Sequence, residues 1–164
     1  MKFLPPEPLF AHHPVANFDC GISSLDDWLK QRALNNQNSG ATRTFVICTE
    51  ERVVGYYALA AGSINPQAVR GNFRRNMPDP IPVVILARLA IDRSCQGRGL
   101  GRALFRDAAM RVAAAADTIG IRGIVVHAIS PVARDFYLAL GFDPSPLEPM
   151  TLAIALKDVR ALIE

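Results

Sequence analysis

At 164 residues, half of them hydrophobic and a fifth charged, the chain suits one globular domain, residues 1–164, with one core. No apolar run approaches the roughly 20 residues of a membrane span, and Met1–Pro8 lacks a signal peptide's apolar stretch, so a cytoplasmic protein is expected. The net charge of +3 is uneven: Arg70–Arg111 carries nine arginines against three acids.

Residues 1–20, broken by four prolines, read as an irregular or strand-like lead-in. Ser23 and Ser24, followed by Asp26 and Asp27, predict an N-cap and a helix to about Asn35. Its buried side is Leu25, Trp28, Leu29 and Ala33, and Asn35–Gly40 is a polar breaker. Two strands follow, Arg43–Thr49 and Val53–Ala61, joined as a hairpin across Glu50–Arg52. Pro66–Pro82 is a long connection of the kind that is functional or mobile. The β-branched run Ile81–Ile91 is a buried central strand.

From Leu100 the period changes. Leu100, Leu104, Ala108 and Val112 recur every fourth residue, an amphipathic helix that Gly120 should end. Residues 121–129 form another buried strand, with His127 inside it. Ser130-Pro131 caps a helix that Gly141 closes after about ten residues. A last strand, Met150–Leu156, and a short tail complete an α/β domain with a mixed sheet. Cys20, Cys48 and Cys95 are odd in number and spaced for neither a metal site nor a disulfide framework, as in a reducing compartment.

Between the central strand and the amphipathic helix lies Gln96-Gly97-Arg98-Gly99-Leu100-Gly101. A glycine-rich turn feeding a helix start leaves backbone N–H groups converging at the positive end of the helix dipole, which suits phosphate. A P-loop is excluded, because no lysine or hydroxyl follows the glycines. A dinucleotide fingerprint fits poorly: the spacing is Gly-x-Gly-x-Gly, late in the chain, and Asp117 falls in an alanine-rich helix. A helix entry with no ligand is the plain alternative. Of the 18 basic residues 15 are arginine, the better partner for phosphate. A nucleotide cofactor alone, or a solvated helix face, accounts for that excess equally well.

Gln96, Gly99 and Gly101 match in register the Gln/Arg-x-x-Gly-x-Gly/Ala loop of the GNAT N-acetyltransferases. The later Ala133-Arg-Asp-Phe-Tyr137 and Gly141-Phe142 resemble that family's Ala-x-x-Phe-Tyr and Gly-Phe segment. The resemblance covers nearly the whole chain and implies the GNAT (acyl-CoA N-acyltransferase) fold, a mixed central sheet flanked by helices. It implies acetyl-coenzyme A as co-substrate, no metal, and a tyrosine, here Tyr137, beside the thioester sulfur. Ser130 stands where the family often has a cofactor-contacting asparagine. With Arg134 it is assigned to the cofactor.

Four further stretches resemble the acetyltransferase toxins of bacterial type II toxin–antitoxin modules: Leu25–Lys30, Gly40–Val46, Val54–Leu59 and Arg74–Pro82. This likeness implies acetylation of the α-amino group of aminoacyl-tRNA and arrest of translation. It also implies a ribbon-helix-helix antitoxin as partner, a homodimer, and no membrane. The alternative within the family is transfer to a small-molecule amine or a protein N-terminus.

The chemistry assigns roles to residues. Backbone N–H groups of Gly97, Arg98, Gly99, Leu100, Gly101 and Arg102 are expected to take the pyrophosphate, with charge from Arg98 and Arg102. The edge of Leu89–Ala90–Ile91 is expected to pair with pantetheine, and an N–H near Leu89 or Ala90 to face the oxyanion. Tyr137 is the candidate general acid for the leaving thiolate, a core aromatic being the alternative: a phenol near pKa 10 is close to an ordinary thiol near 8.5. No Glu, Asp or His stands out as general base, which suits an α-amino group of pKa about 7.7–8.0 better than a lysine. His127 reads as a satisfied buried histidine. Arg88 interrupts an apolar strand, so either an acid pairs with it or it faces the substrate. Lys30, Arg32, Arg74 and Arg75, with Arg88, are the expected tRNA contacts, solvated surface being the alternative for Lys30, Arg32, Arg74 and Arg75 taken singly.

Overall fold

The computed structural model describes Met1–Glu164. Its strands are β1 (Glu7–Pro8), β2 (Arg43–Cys48), β3 (Val53–Ile64), β4 (Ile81–Ile91), β5 (Gly123–His127), β6 (Asp143–Pro144) and β7 (Thr151–Ala155). Its helices are α1 (Ser23–Gln31), α2 (Ala33–Ser39), α3 (Gly71–Arg74), α4 (Leu100–Ala115), α5 (Pro131–Leu140) and α6 (Leu156–Ile163). The strands lie in the order β1-β2-β3-β4-β5-β7-β6. The β4–β5 pair is parallel, and the β1–β2, β2–β3, β5–β7 and β6–β7 pairs are antiparallel, so the sheet is mixed as expected. By compactness the chain divides into Met1–Ala60 with Ala87–Ala108, and Ala61–Leu86 with Ala109–Glu164.

In the first unit, Leu25, Leu29 and Ala33 pack with Leu9, Phe18, Val46, Tyr56 and Ala90. The serines do not cap α1. Ile22 occupies the N-cap without a side-chain bond, and Ser23 and Ser24 are the first helical residues. Asp26 instead turns inward, is buried, and accepts from the Cys20 N–H at 2.9 Å, satisfying the amide of the incoming lead-in. The expected polar breaker is helical: α2 starts after a bend at Arg32 and ends at Gly40, whose φ is 83°. Tertiary hydrogen bonds override its polar composition, since the Gln37 side chain accepts from the Thr44 N–H at 2.8 Å and donates to Leu9 O at 3.4 Å.

In the second unit, Ile64, Val69, Phe73, Ile81, Val83, Val125 and Ala153 form the core. The long connection is structured, with a 3-10 turn at Pro66–Ala68 and α3, and it ends at Ile81, so that Pro82 lies inside β4. Arg122 fastens it, donating from Nε to Phe73 O at 2.8 Å and from Nη2 to Asn72 O at 2.7 Å. α4 stops at Ala115, short of Gly120, which does not adopt the left-handed conformation of a C′ glycine. Thr118 and Ile119 donate to Ala115 O and close the helix in a turn that contains Asp117. β5 and β7 are shorter than the runs that announced them, and the tail is the helix α6, with Val159 buried.

Candidate active site

The glycine turn stands on a set of bonds made around Asp92. Asp92 N–H donates to Val54 O at 2.8 Å, which fixes the end of β4. The Asp92 carboxylate accepts from the N–H groups of Asp19 and Ser94, both at 3.0 Å, from Ser94 Oγ at 2.7 Å and from Arg52 Nη1 at 2.8 Å. Burial works to raise its pKa, but the Arg52 guanidinium and the two amides outweigh that. The carboxyl therefore stays far below the usual carboxylate range. Arg52 Nη2 also donates to Ser94 Oγ at 2.9 Å. Neither Arg52 nor Asp92 was singled out from sequence. The Asp-x-Ser spacing, an Asx cap on the 3-10 turn Arg93–Cys95, was the available signal.

Gln96 continues this scaffold. Its Nε2 donates to Ile91 O at 2.9 Å and to Cys20 O at 3.1 Å, so its amide nitrogen ties the turn to β4 and to the lead-in. Gly97 and Gly99 then adopt φ of 79° and 78°, the left-handed region that side chains rarely enter, and a Cβ on either would meet nothing within 4 Å. The first bond of α4 runs from Ala103 N–H to Gly99 O. The amides before Ala103 thus have no partner within the helix. Arg98 and Arg102 are exposed and Leu100 is buried beneath the turn. An open, glycine-shaped cradle of free amides at a helix start fits a diphosphate.

β4 supplies a second feature. Its register with β5 runs over Val84–Leu86, and β4 continues for five residues beyond the last of these, through Leu89, Ala90 and Ile91. Of these three, Ala90 is buried and Leu89 and Ile91 are half-buried. Arg88 is half-buried, and the first of its two expected arrangements, an ion pair, does not form. Its guanidinium lies 4.5 Å over the Trp28 ring. Lys30 and Arg32 are exposed on α1 and at its end.

In the second unit, Ser130 caps α5 as expected, its Oγ accepting from the Ala133 N–H at 3.1 Å, and Gly141 ends the helix with φ of 107°. Arg134 is half-buried and donates from Nε to Pro149 O at 2.7 Å, which holds the turn before β7. Tyr137 is 6 % exposed, its ring edge-on to Phe136 and Phe142. Its hydroxyl has no hydrogen-bond partner in the protein, and it is not among the sealed orphan oxygens, which are those of Thr42 and Thr44. Burial pushes the Tyr137 phenol well above its ordinary value, so the close match to a free thiol does not hold as stated. Burial raises thiols as well: it is the main cause that lifts Cys20 and Cys48 to about 11. Burial would raise a thiol in the same surroundings too, which narrows the gap but leaves the phenol the weaker acid.

His127 is exposed at the end of β5, not buried within it, and its Nδ1 lies 2.9 Å from Thr151 Oγ1. Arg74 and Arg75 are exposed at the end of α3. In the first unit, Glu7, His13 and Cys48 converge within 4.8 Å. Both nitrogens of His13 are engaged there, Nδ1 with the Phe10 N–H at 2.8 Å and Nε2 with Glu7 at 2.7 Å.

Residues 40–144 match the family model of the acetyltransferase (GNAT) domain. A tRNA-acetylating toxin of Mycobacterium tuberculosis is 53% identical over 149 residues, 91% of this chain and 90% of its own length. The solved structure of AtaT complexed with acetyl-methionyl-tRNAfMet is similar with a TM-score of 0.90 and 32% identity, covering 99% of this chain and 100% of that one. A tyrosine-to-phenylalanine mutant of the AtaT toxin, bound to the C-terminus of the antitoxin AtaR and acetyl-CoA, has a TM-score of 0.84 and 30% identity. Those chains cover 99% of this one and 98% of the other.

Proposed function

The chain belongs to the GNAT acetyltransferase family, and from that premise we propose that it acetylates the α-amino group of aminoacyl-tRNA with acetyl-coenzyme A and so arrests translation. The observation that carries this reading is the turn at Gly97 and Gly99, open to solvent, lined with free amides and mounted on the Asp92 bonds. The whole chain acts as one N-acetyltransferase domain.

Acetyl-coenzyme A supplies an activated acetyl group as a thioester. The amides from Gly97 to Arg102 hold its pyrophosphate, with Arg98 and Arg102 adding charge and Gln96 keeping the turn in place. Leu89–Ile91, which runs on past the β5 register, offers main-chain groups to the pantetheine arm, as a sheet edge does to an added strand. An N–H near Leu89 or Ala90 faces the charge that develops on the carbonyl oxygen. Tyr137 gives its hydroxyl proton to the departing sulfur. Ser130 and Arg134 border the cofactor, Ser130 through the hydroxyl proton left over from capping.

No carboxylate is needed as base. An α-amino group starts at pKa about 7.7–8.0, and the adjacent ester lowers it, so the nucleophile is largely neutral and water takes its proton. Lys30, Arg32, Arg74 and Arg75 meet tRNA phosphates. A ribbon-helix-helix antitoxin is the partner, the enzyme is a homodimer, and it works in the cytoplasm.

The test is incubation with radiolabelled acetyl-coenzyme A and a charged tRNA pool. Label should appear on aminoacyl-tRNA, and an unlabelled pool would overturn the reading. Transfer to a small amine or a protein N-terminus separates by salt. Binding to tRNA falls steeply with ionic strength, and small-amine turnover does not.

A further inference from the structure

Arg88 is the one strongly basic residue that the sheet carries inside an otherwise apolar strand, and its surroundings leave most of its donors free. A guanidinium has five N–H donors. Here one makes a long 3.4 Å bond to the neighbouring Ala87 O, and no carboxylate lies within ion-pair distance. The cation is held by an aromatic stack instead. Tyr56, fully buried, donates from its hydroxyl to Leu25 O at 2.7 Å. The Trp28 ring stacks on Tyr56 at 5.9 Å with an interplanar angle of 11°, and Arg88 lies 4.5 Å over Trp28. An aromatic face restrains a guanidinium without using its N–H groups. A half-buried cation kept in this way is oriented for an anion that the protein itself does not provide.

Position narrows the identity of that anion. Arg88 immediately precedes Leu89, and its Nη1 lies 3.4 Å from Ala87 O, so the cation stays against the β4 backbone next to the stretch assigned to the reacting carbonyl. The remote phosphates of a tRNA do not come so close to the transferred group. The phosphate of the terminal nucleotide, one ribose from the aminoacyl ester, does. We propose that Arg88, laid on Trp28, is a positioning residue that grips the last phosphodiester of the acceptor end and so sets the α-amino group against the thioester. This rests on aminoacyl-tRNA being the acceptor.

The experiment compares Arg88→Ala, Arg88→Lys and Trp28→Leu with the parent enzyme on two acceptors: a charged tRNA, and the methyl ester of the same amino acid, which has no phosphate. For Arg88→Ala, kcat/KM on charged tRNA should fall roughly tenfold to a hundredfold, the worth of a charge-assisted bond, mostly through KM. Turnover of the methyl ester and acetyl-coenzyme A affinity by calorimetry should stay at the parent level. The slope of log(kcat/KM) against log salt should become shallower by roughly 0.7, the contribution of one single-stranded phosphate. Arg88→Lys should restore part of the loss, and Trp28→Leu should raise KM for charged tRNA alone. An equal fall on both acceptors, or no fall on charged tRNA, overturns the proposal. Failure of the parent enzyme itself to acetylate charged tRNA overturns the function on which it rests, a separate and distinguishable result.

Discussion

Arg52 Nη1 lies 2.8 Å from Asp92 Oδ2, joining the start of β3 to the residue that follows β4 across 40 positions of chain. Asp92 is 4 % exposed and carries two amides and a hydroxyl besides the guanidinium, so the pair is a node on which the glycine turn is built. Arg52→Ala should lower unfolding free energy by about 2 kcal/mol, because the buried carboxylate loses a charge-assisted partner. Acetyl-coenzyme A affinity should fall with it. Urea denaturation and calorimetry read the two effects.

The same node sets an acid limit. The folded-state pKa of Asp92 is depressed. Its stabilisation is therefore complete above the unfolded value near 3.9 and disappears as pH falls through the folded value. The parent protein should lose stability below about pH 4, and Asp92→Asn should flatten that part of the stability–pH curve. An unchanged acid limb in the variant would remove Asp92 as its cause.

Gly99→Ala forces a side chain into a backbone with φ of 78°. The strain, about 1–2 kcal/mol, falls on the turn, since the added carbon itself meets open space. The expected result is a folded protein with clearly weakened cofactor affinity. The comparison is calorimetry against thermal melting.

Tyr137→Phe removes a hydroxyl that bonds to nothing in the protein, so stability should change by less than about 0.5 kcal/mol. Turnover should drop by about 10²–10⁴. Because burial raises the phenol, the parent enzyme should show no loss of kcat from tyrosine ionisation up to about pH 10. A basic limb below pH 9 that vanishes in Tyr137→Phe would contradict the buried phenol.

Cys20 and Cys48 are buried, with thiols pushed up to about 11. At pH 8 only about one in a thousand is thiolate, so alkylation by iodoacetamide should be slow in the folded protein and rapid in urea. Mass spectrometry of the modified sites measures both.

What the chain reveals locally is what depends on near neighbours. The β-branched run of β4, the glycine turn, and α5 between Ser130 and Gly141 stand where sequence places them, because period, capping and positive φ involve residues a few positions apart. Tertiary structure decided the rest. Asn35–Ser39 became helix because Gln37 reaches Thr44 and Leu9, and Asp26, in the first turn of α1 as expected, is turned inward by the Cys20 amide. The Arg52–Asp92 node and the Arg88–Trp28 stack join residues 40 and 60 positions apart. Such partners satisfy a charge only once the chain has folded, since burial is what makes an unpaired group costly enough to select them.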